Sequence, residues 1–492
     1  MRIVNRTALE VGEKIKLGEI GVEETVLSAL DAIETQDGQL GAFITVRDRE
    51  ALLVRAAQVQ AEIDSGTHTS PLAGVPIGIK DNICTEGLRT TAASKMLYHF
   101  IPPYSATVVE RLEQAGMIVM GKLNLDEFAM GTTSETSYFG PVKNPWDLSR
   151  VAGGSSGGSV AAVAAGEVFA TLGSDTGGSI RLPASHCGVT GFKPTYGAVS
   201  RYGLIALASS LDQIGPVARD VADCVAMLDL IKGKDPRDST SLDLPETRAN
   251  WAERLDGSVA GKRVALLREC FGDNVDADVK ARVLEAAETF RGLGAEIEEI
   301  SLPFLDYVMP AYSILMTAEA SSNLARFDGI KYGFRAEGAK SVEDIYRLTR
   351  GEGFGFGVQQ RILLGTLMLS SGYYDTYYKK ALQVRALIKR QFDELFDQYD
   401  AILCPNASQT APLLGEDLDH HSRYLSDMFV ASANLAGLPA LSVPCGFDSH
   451  GMPVGAQIIG QRLRDDLVLN LGFAFQQTTD YHKRIPGEGV AV

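Results

Sequence analysis

The chain has 492 residues, 45% hydrophobic and 22% charged, a balance that suits a large buried core and argues against a disordered or disulfide-stapled protein. Its formal net charge of −16 excludes an unaided grip on a phosphate backbone, which needs clustered Lys and Arg, though not a place on a nucleic-acid pathway through a basic partner. The six cysteines (Cys84, Cys187, Cys224, Cys270, Cys404 and Cys445) form no CxxC pair and no Cys/His cluster, which predicts reduced core thiols, a cytoplasmic protein and no metal site.

At the start of the chain, Met1-Arg2-Ile3-Val4-Asn5-Arg6 has no apolar signal-peptide region, and no later run approaches the roughly 18–20 residues that span a bilayer. Residues 22–36 place Val26, Leu27, Leu30 and Ile33 on one face, and residues 48–64 repeat the pattern through Leu52, Leu53, Ala56, Val59 and Ile63, predicting two amphipathic helices. Leu72 to Ile79 reads as a short strand, Val108 to Ala115 as a helix stopped at Gly116, and Met117 to Met120 as a buried strand. Gly157 to Ala165 predicts a helix of small residues with Gly166 at its C-terminal stop, followed by a strand from Val168 to Leu172. Residues 232–261 are polar and turn-rich, a surface connection. After it come a strand over 263–267, a helix near 276–292 and a strand from Glu296 to Ile300. One long helix from Tyr373 to Tyr399, strands at Leu438 to Pro444 and Val454 to Ile459, and a last helix near Leu463 to Gln477 complete the chain. The alternation predicts an α/β fold with a largely parallel or mixed sheet, and its resumption after residue 261 favours one domain over residues 1–492.

Three polar residues stand out from this frame. Lys80 ends the apolar run Gly74-Val75-Pro76-Ile77-Gly78-Ile79, Ser155 lies in Gly153-Gly154-Ser155-Ser156-Gly157-Gly158, and Ser179 lies in Asp175-Thr176-Gly177-Gly178-Ser179. A serine hydroxyl is a weak nucleophile until a base takes its proton. A lysine can be that base only when neutral, a state that burial favours by lowering its pKa. One serine as nucleophile and the other as proton relay to Lys80 predicts acyl transfer at a carbonyl carbon. Successive amides in a turn such as Thr176-Gly177-Gly178-Ser179 can form a nest for the developing negative charge. Two other patterns are weaker. Gly153, Ser155 and Gly157 fit the Gly-x-Ser-x-Gly nucleophile elbow, which needs an acid and then a histidine downstream and leaves Lys80 unexplained. Gly116 to Lys122 has the spacing of a phosphate loop, but Leu123 replaces the Ser or Thr and an apolar strand fills the middle.

Together the Lys80, Ser155 and Ser179 elements resemble the amidase signature family, and the resemblance covers essentially the whole chain. It implies a large twisted mixed β-sheet covered by helices on both faces and a Ser-Ser-Lys triad. Ser179 would be the nucleophile, Ser155 the bridging serine after a cis Gly154–Ser155 bond, and Lys80 the base. Thr176, Gly177, Gly178 and Ser179 would supply oxyanion-hole amides. Within the family, the runs Gly121 to Gly131, Tyr202 to Ala206, Ser209 to Pro216, Glu319 to Gly329, Leu369 to Asp375 and Asn434 to Pro439 are similar to those of the glutaminase subunits of tRNA-dependent amidotransferases. That likeness implies glutamine as substrate, with Arg361 on its α-carboxylate, Asp427 on its α-ammonium and Tyr312 at the pocket wall. It implies delivery of ammonia to a tRNA-binding ATPase partner (the B subunit), a small third partner (the C subunit), and tRNA bound only through the ATPase. ATP and Mg are expected at that partner, with no cofactor for amide cleavage itself. The product would be Gln-tRNA(Gln) made from Glu-tRNA(Gln), with Asn-tRNA(Asn) an open second product. A standalone amidase acting on small or fatty amides is the first alternative. A non-catalytic assembly subunit is the second, and intact Lys80, Ser155 and Ser179 count against it. Ala198 and the run Leu403 to Ser408 depart from the usual family pattern without touching the triad.

Overall fold

The structure is a computed structural model that describes residues 3–244, 251–416 and 420–487. Eleven strands form one sheet in the order Phe43–Val46, Ile118–Leu123, Pro76–Lys80, Ala170–Asp175, Gln213–Ala218, Thr190–Lys193, Ala440–Phe447, Pro453–Gly460, Ala401–Pro405, Arg263–Leu267 and Glu296–Ile300. Pro76–Lys80 runs parallel to both its neighbours, and Arg263–Leu267 parallel to both of its own, while the strands between these groups pair antiparallel. Helices lie on both sides of this mixed sheet, as the expected α/β class requires. The central strands are buried along their whole length, so they read as continuous apolar runs rather than as alternating ones.

Most elements form where their residues predict them. Two differ. The segment before Pro76 is a turn, because Gly74 adopts φ +83°, and the strand starts only at Pro76. The long helix expected from Tyr373 opens as a π-helical turn, Tyr374–Tyr378, before the α-helix Lys379–Phe396. The ring pairs Tyr373–Tyr377 and Tyr374–Tyr378 keep the four-residue spacing through that turn, so side-chain periodicity alone could not separate it from α-helix.

The polar connection is pinned rather than loose. Asp235 accepts from the Thr107 and Ser200 hydroxyls, and Arg237 Nη2 donates to Glu110 at 2.6 Å. Residues 245–250 of that connection lie outside the described residues. All six cysteines are free and buried. No described helix is long and apolar enough to cross a membrane.

Three helices wall one end of the sheet. Val308–Asn323 packs against both Phe356–Leu369 and His420–Ala436. At the sheet itself, Gly157–Ala164 is buried at every residue, because its Gly, Ser, Ala and Val side chains allow close packing on the strands beneath.

Candidate active site

Strands Pro76–Lys80 and Ala170–Asp175 are parallel neighbours with Ile79 opposite Leu172, so Lys80 and Asp175 leave the sheet at the same edge. The loop carrying Ser155 and Ser156 returns over that edge, and the Gly154–Ser155 peptide bond is cis. Lys80 Nζ lies 2.8 Å from Ser155 Oγ, 2.7 Å from Ser156 Oγ and 3.2 Å from the Ser174 carbonyl oxygen. Burial pushes Lys80 down to about 7, against the opposing charges of Asp126, Asp175 and Asp212.

The hydrogen-bond directions around Lys80 follow from counting protons. The Ser174 carbonyl can only accept. Ser156 Oγ donates its own proton to that same carbonyl at 3.1 Å, so toward Lys80 it accepts. A neutral amine has two N–H groups and one lone pair. Both N–H groups are thus taken by Ser156 Oγ and the Ser174 carbonyl, and the lone pair faces the Ser155 hydroxyl. This arrangement can draw a proton from Ser155. Sequence reasoning assigned no role to Ser156, although a second hydroxyl next to Ser155 in a glycine turn is a usable signal.

Ser179 stands at the mouth of this arrangement. It is 8% exposed, whereas Lys80, Ser155 and Ser156 are at 0%, so of the four only Ser179 reaches toward a substrate. The Ser156 amide donates to the Ser179 carbonyl at 3.0 Å and ties the two serine loops together. Among the described residues, Ser155 Oγ and Ser179 Oγ share no hydrogen bond; catalytic contacts of this kind commonly close only around bound substrate.

The turn before Ser179 is held from below by Asp175. Burial alone would raise this carboxyl, but the guanidinium of Arg181, bound at 3.0 and 3.1 Å, together with Lys193 and Asn434, holds it below the usual carboxylate range. Asp175 also takes the amides of Gly178 (2.8 Å) and Ile180 (3.2 Å). This corrects the expected oxyanion hole. The Gly178 N–H is committed to a carboxylate and cannot serve a substrate oxyanion. Among the described residues the amides of Thr176, Gly177 and Ser179 have no partner. Thr176 instead anchors the turn, its hydroxyl donating to Asp212 at 2.7 Å.

Of the three expected substrate-binding residues, Tyr312 lies against this turn, and Asp427 and Arg361 act electrostatically on its hydroxyl. A Cβ on Gly177 would collide with Tyr312 Oη, and one on Gly178, where φ is +112°, would collide with Val430, so both positions demand glycine. Tyr312 comes from helix Val308–Asn323, and Val430 from the helix that also carries Asp427. Burial raises the Tyr312 hydroxyl, Asp427 raises it further and Arg361 opposes them, which brings all three within electrostatic reach and keeps the phenol protonated. Arg361 sits in the second turn of helix Phe356–Leu369, with Nη1 donating to the Gly357 carbonyl at 3.0 Å. Cation, anion and hydroxyl donor together can receive a zwitterionic amino acid. Among the described residues, no group of three or more His, Cys, Asp or Glu side chains is placed to hold a metal ion.

Comparison with known proteins agrees with this geometry. The Amidase family profile matches residues 24–469. The glutamyl-tRNA(Gln) amidotransferase A subunit of Moorella thermoacetica is 52% identical over 492 residues, covering 100% of both chains. The protein of the same name from Agathobacter rectalis is 51% identical over 481 residues, covering 98% of this chain and 95% of its own. Among solved structures, the glutamyl-tRNA(Gln) amidotransferase A subunit of Thermotoga maritima is 40% identical with a TM-score of 0.81, covering 98% of this chain and 97% of its own. The peptide amidase of Stenotrophomonas maltophilia is 29% identical with a TM-score of 0.84, covering 98% of each chain. A chain that matches the family over this length, with a buried lysine bonded to a serine of a glycine turn, belongs to the amidase family.

Proposed function

We propose that this chain is the glutaminase subunit of a cytoplasmic, glutamine-dependent amidotransferase that forms Gln-tRNA(Gln) from Glu-tRNA(Gln). One observation carries the chemistry: Nζ of a fully buried Lys80 lies 2.8 Å from Ser155 Oγ. The names of relatives at about half identity over full length support the choice of substrate and the existence of partners.

In this reading, Arg361 holds the α-carboxylate of glutamine, Asp427 its α-ammonium, and Tyr312 the pocket wall. Ser179 Oγ attacks the side-chain amide carbon. Its proton passes to Ser155 Oγ, whose own proton goes to Lys80 Nζ. The oxyanion settles against the free amides of the 176–179 turn. On collapse the proton returns through Ser155 to the leaving nitrogen, and ammonia departs. Water then hydrolyses the glutamyl ester on Ser179, releasing glutamate and restoring the serine. The nucleophile, the relay, the base and the oxyanion donors in this sequence all come from the chain itself. The B subunit would bind tRNA and supply the ATP and Mg chemistry that activates the acceptor carboxyl, with the small C subunit completing a heterotrimer. Residues 1–492 would act as one amidase unit.

The test is ammonia release from glutamine by Ser179→Ala, expected to fall by at least about 10³-fold. Activity near wild type would remove Ser179 as nucleophile. Purification of the native protein as a lone chain, active on simple amides, would replace the subunit reading with a standalone amidase.

A further inference from the structure

The turn Asp126 to Ala129 grips two parts of the site that are remote in sequence. Phe128 and Ala129 adopt φ +51° and +61°, left-handed values that ordinary side chains hold only where the surroundings impose them. On one side, the Asp126 amide donates to the Ser155 carbonyl at 3.3 Å, and the Asp126 carboxylate takes the Ser134 amide at 2.9 Å. Its charge also acts on Lys80. On the other side, Glu127 Oε2 accepts the Gly355 amide at 2.9 Å and Oε1 accepts the Ser94 hydroxyl at 2.5 Å. The Phe128 ring packs on Phe354 at 5.6 Å. Residues 354 and 355 are therefore both held, and Gly355 is the N-cap of helix Phe356–Leu369.

Glu127 is 4% exposed, and its carboxylate makes no contact with the triad. What it holds is the start of the helix that presents Arg361 two turns further on, about 9 Å along the axis. At that distance a small tilt at the N-cap displaces the guanidinium. Resting on the glutaminase reading above, we propose that Glu127 is a positioning residue: it locks the helix that carries Arg361 to the turn that holds Ser155, so that the carboxylate clamp and the triad keep one spacing.

The experiment measures ammonia release from glutamine and from butyramide, an amide of similar length without the α-carboxylate and α-ammonium, using the full chain as it assembles natively. Glu127→Ala should raise the glutamine KM about 10-fold with kcat within about 3-fold, and should leave kcat/KM for butyramide within about 3-fold. Glu127→Gln, whose amide oxygen can still accept the Gly355 N–H, should recover most of the KM. In an Arg361→Ala background, Glu127→Ala should cost under about 2-fold on glutamine, because the group it positions is gone. Equal losses on both amides, or a KM effect that persists without Arg361, would overturn the proposal while leaving the glutaminase reading intact. A wild-type protein inactive on glutamine would overturn that reading and this inference together. Should Glu127→Ala fail to fold, Gly355→Pro removes the same hydrogen bond from the helix side: the backbone accepts it, with Gly355 at φ −67° and Phe354 extended, and its Cβ pushes the Glu127 carboxylate away from the N-cap. The same split between substrates is then required of it.

Discussion

Two lysines emerge fully buried from neighbouring parallel strands, with Ile79 of one strand opposite Lys122 of the other, and they meet different partners. Lys122 has a carboxylate beside it, Asp81 at 4.0 Å, and donates to the Ile83 carbonyl and the hydroxyls of Thr85 and Thr90. Lys80 has only uncharged oxygens in contact, and the carboxylates of Asp126, Asp175 and Asp212 act on it from further away. Burial lowers both, to about 8 for Lys122 and to about 7 for Lys80. Desolvation is common to the two sites; the adjacent counter-ion is not. A lysine becomes a base where its burial is left without a charged partner, and becomes a structural cation where a carboxylate is buried with it.

The largest expected effect comes from removing the base. Lys80→Met should lower glutamine turnover by about 10⁴-fold while the protein still folds, since Met fills a similar volume and the Ser156 hydroxyl keeps its bond to the Ser174 carbonyl. In the wild type, turnover should rise with pH through about 7 as Lys80 loses its proton. A Lys80→Met protein within about 10-fold of wild type would put the base elsewhere and dissolve the contrast between the two lysines.

Lys122→Met should instead act on stability, by about 3–5 kcal/mol, because it leaves Asp81 buried without its cation. Burial already raises Asp81 to about 6, with Lys122 pulling the other way. Without that charge the folded-state carboxyl rises further, while the unfolded one still ionises in its ordinary range. The folded state then holds the extra proton, so the stability loss should grow as pH rises from 5 to 8. Denaturant melts across that range check the sign, and adding Asp81→Asn should recover part of the loss. If turnover per folded molecule fell as far as in Lys80→Met, the two lysines would share one role.

The contrast also marks how far the sequence could be read. Burial of Lys80 was legible because an apolar run leads into it, and the two glycine–serine turns were legible because glycine permits conformations and approaches that few other residues do. The sheet and most helices followed from apolar runs and stop signals, down to Gly166 at φ +73° beyond the helix Gly157–Ala164. What stayed hidden was the destination of hydrogen bonds. Asp175, three residues before Gly178, is placed to take that amide, yet a short-range turn of this kind competes with an oxyanion-hole reading on equal terms in the sequence. Glu127 falls within the family-like run Gly121 to Gly131 but shows no role there, because its partners, Ser94 and Gly355, are 33 and 228 residues away.

The finest test of the comparison lies with Ser156, whose counterpart at Lys122 is Thr85, a hydroxyl that likewise accepts from Nζ and donates to a carbonyl, that of Ile83, which the lysine also bonds, but with no serine to be deprotonated beside it. Among the described residues, the Ser156 hydroxyl is the only group in contact with Lys80 that both accepts from Nζ and passes its own proton to the Ser174 carbonyl. Ser156→Ala removes one of the two acceptors that orient the amine, so the lone pair is no longer fixed on Ser155. Turnover should fall by about 10- to 100-fold, less than for loss of the base itself. The ammonium form loses a stronger hydrogen bond than the neutral amine does, so the Lys80 pKa should drop and the acid limb of the pH profile should move to lower pH. A structural role alone would lower the plateau without moving the limb. A reduced plateau together with an acid shift therefore assigns Ser156 to the orientation of the base, and a limb that stays at about 7 would return the serine to loop packing.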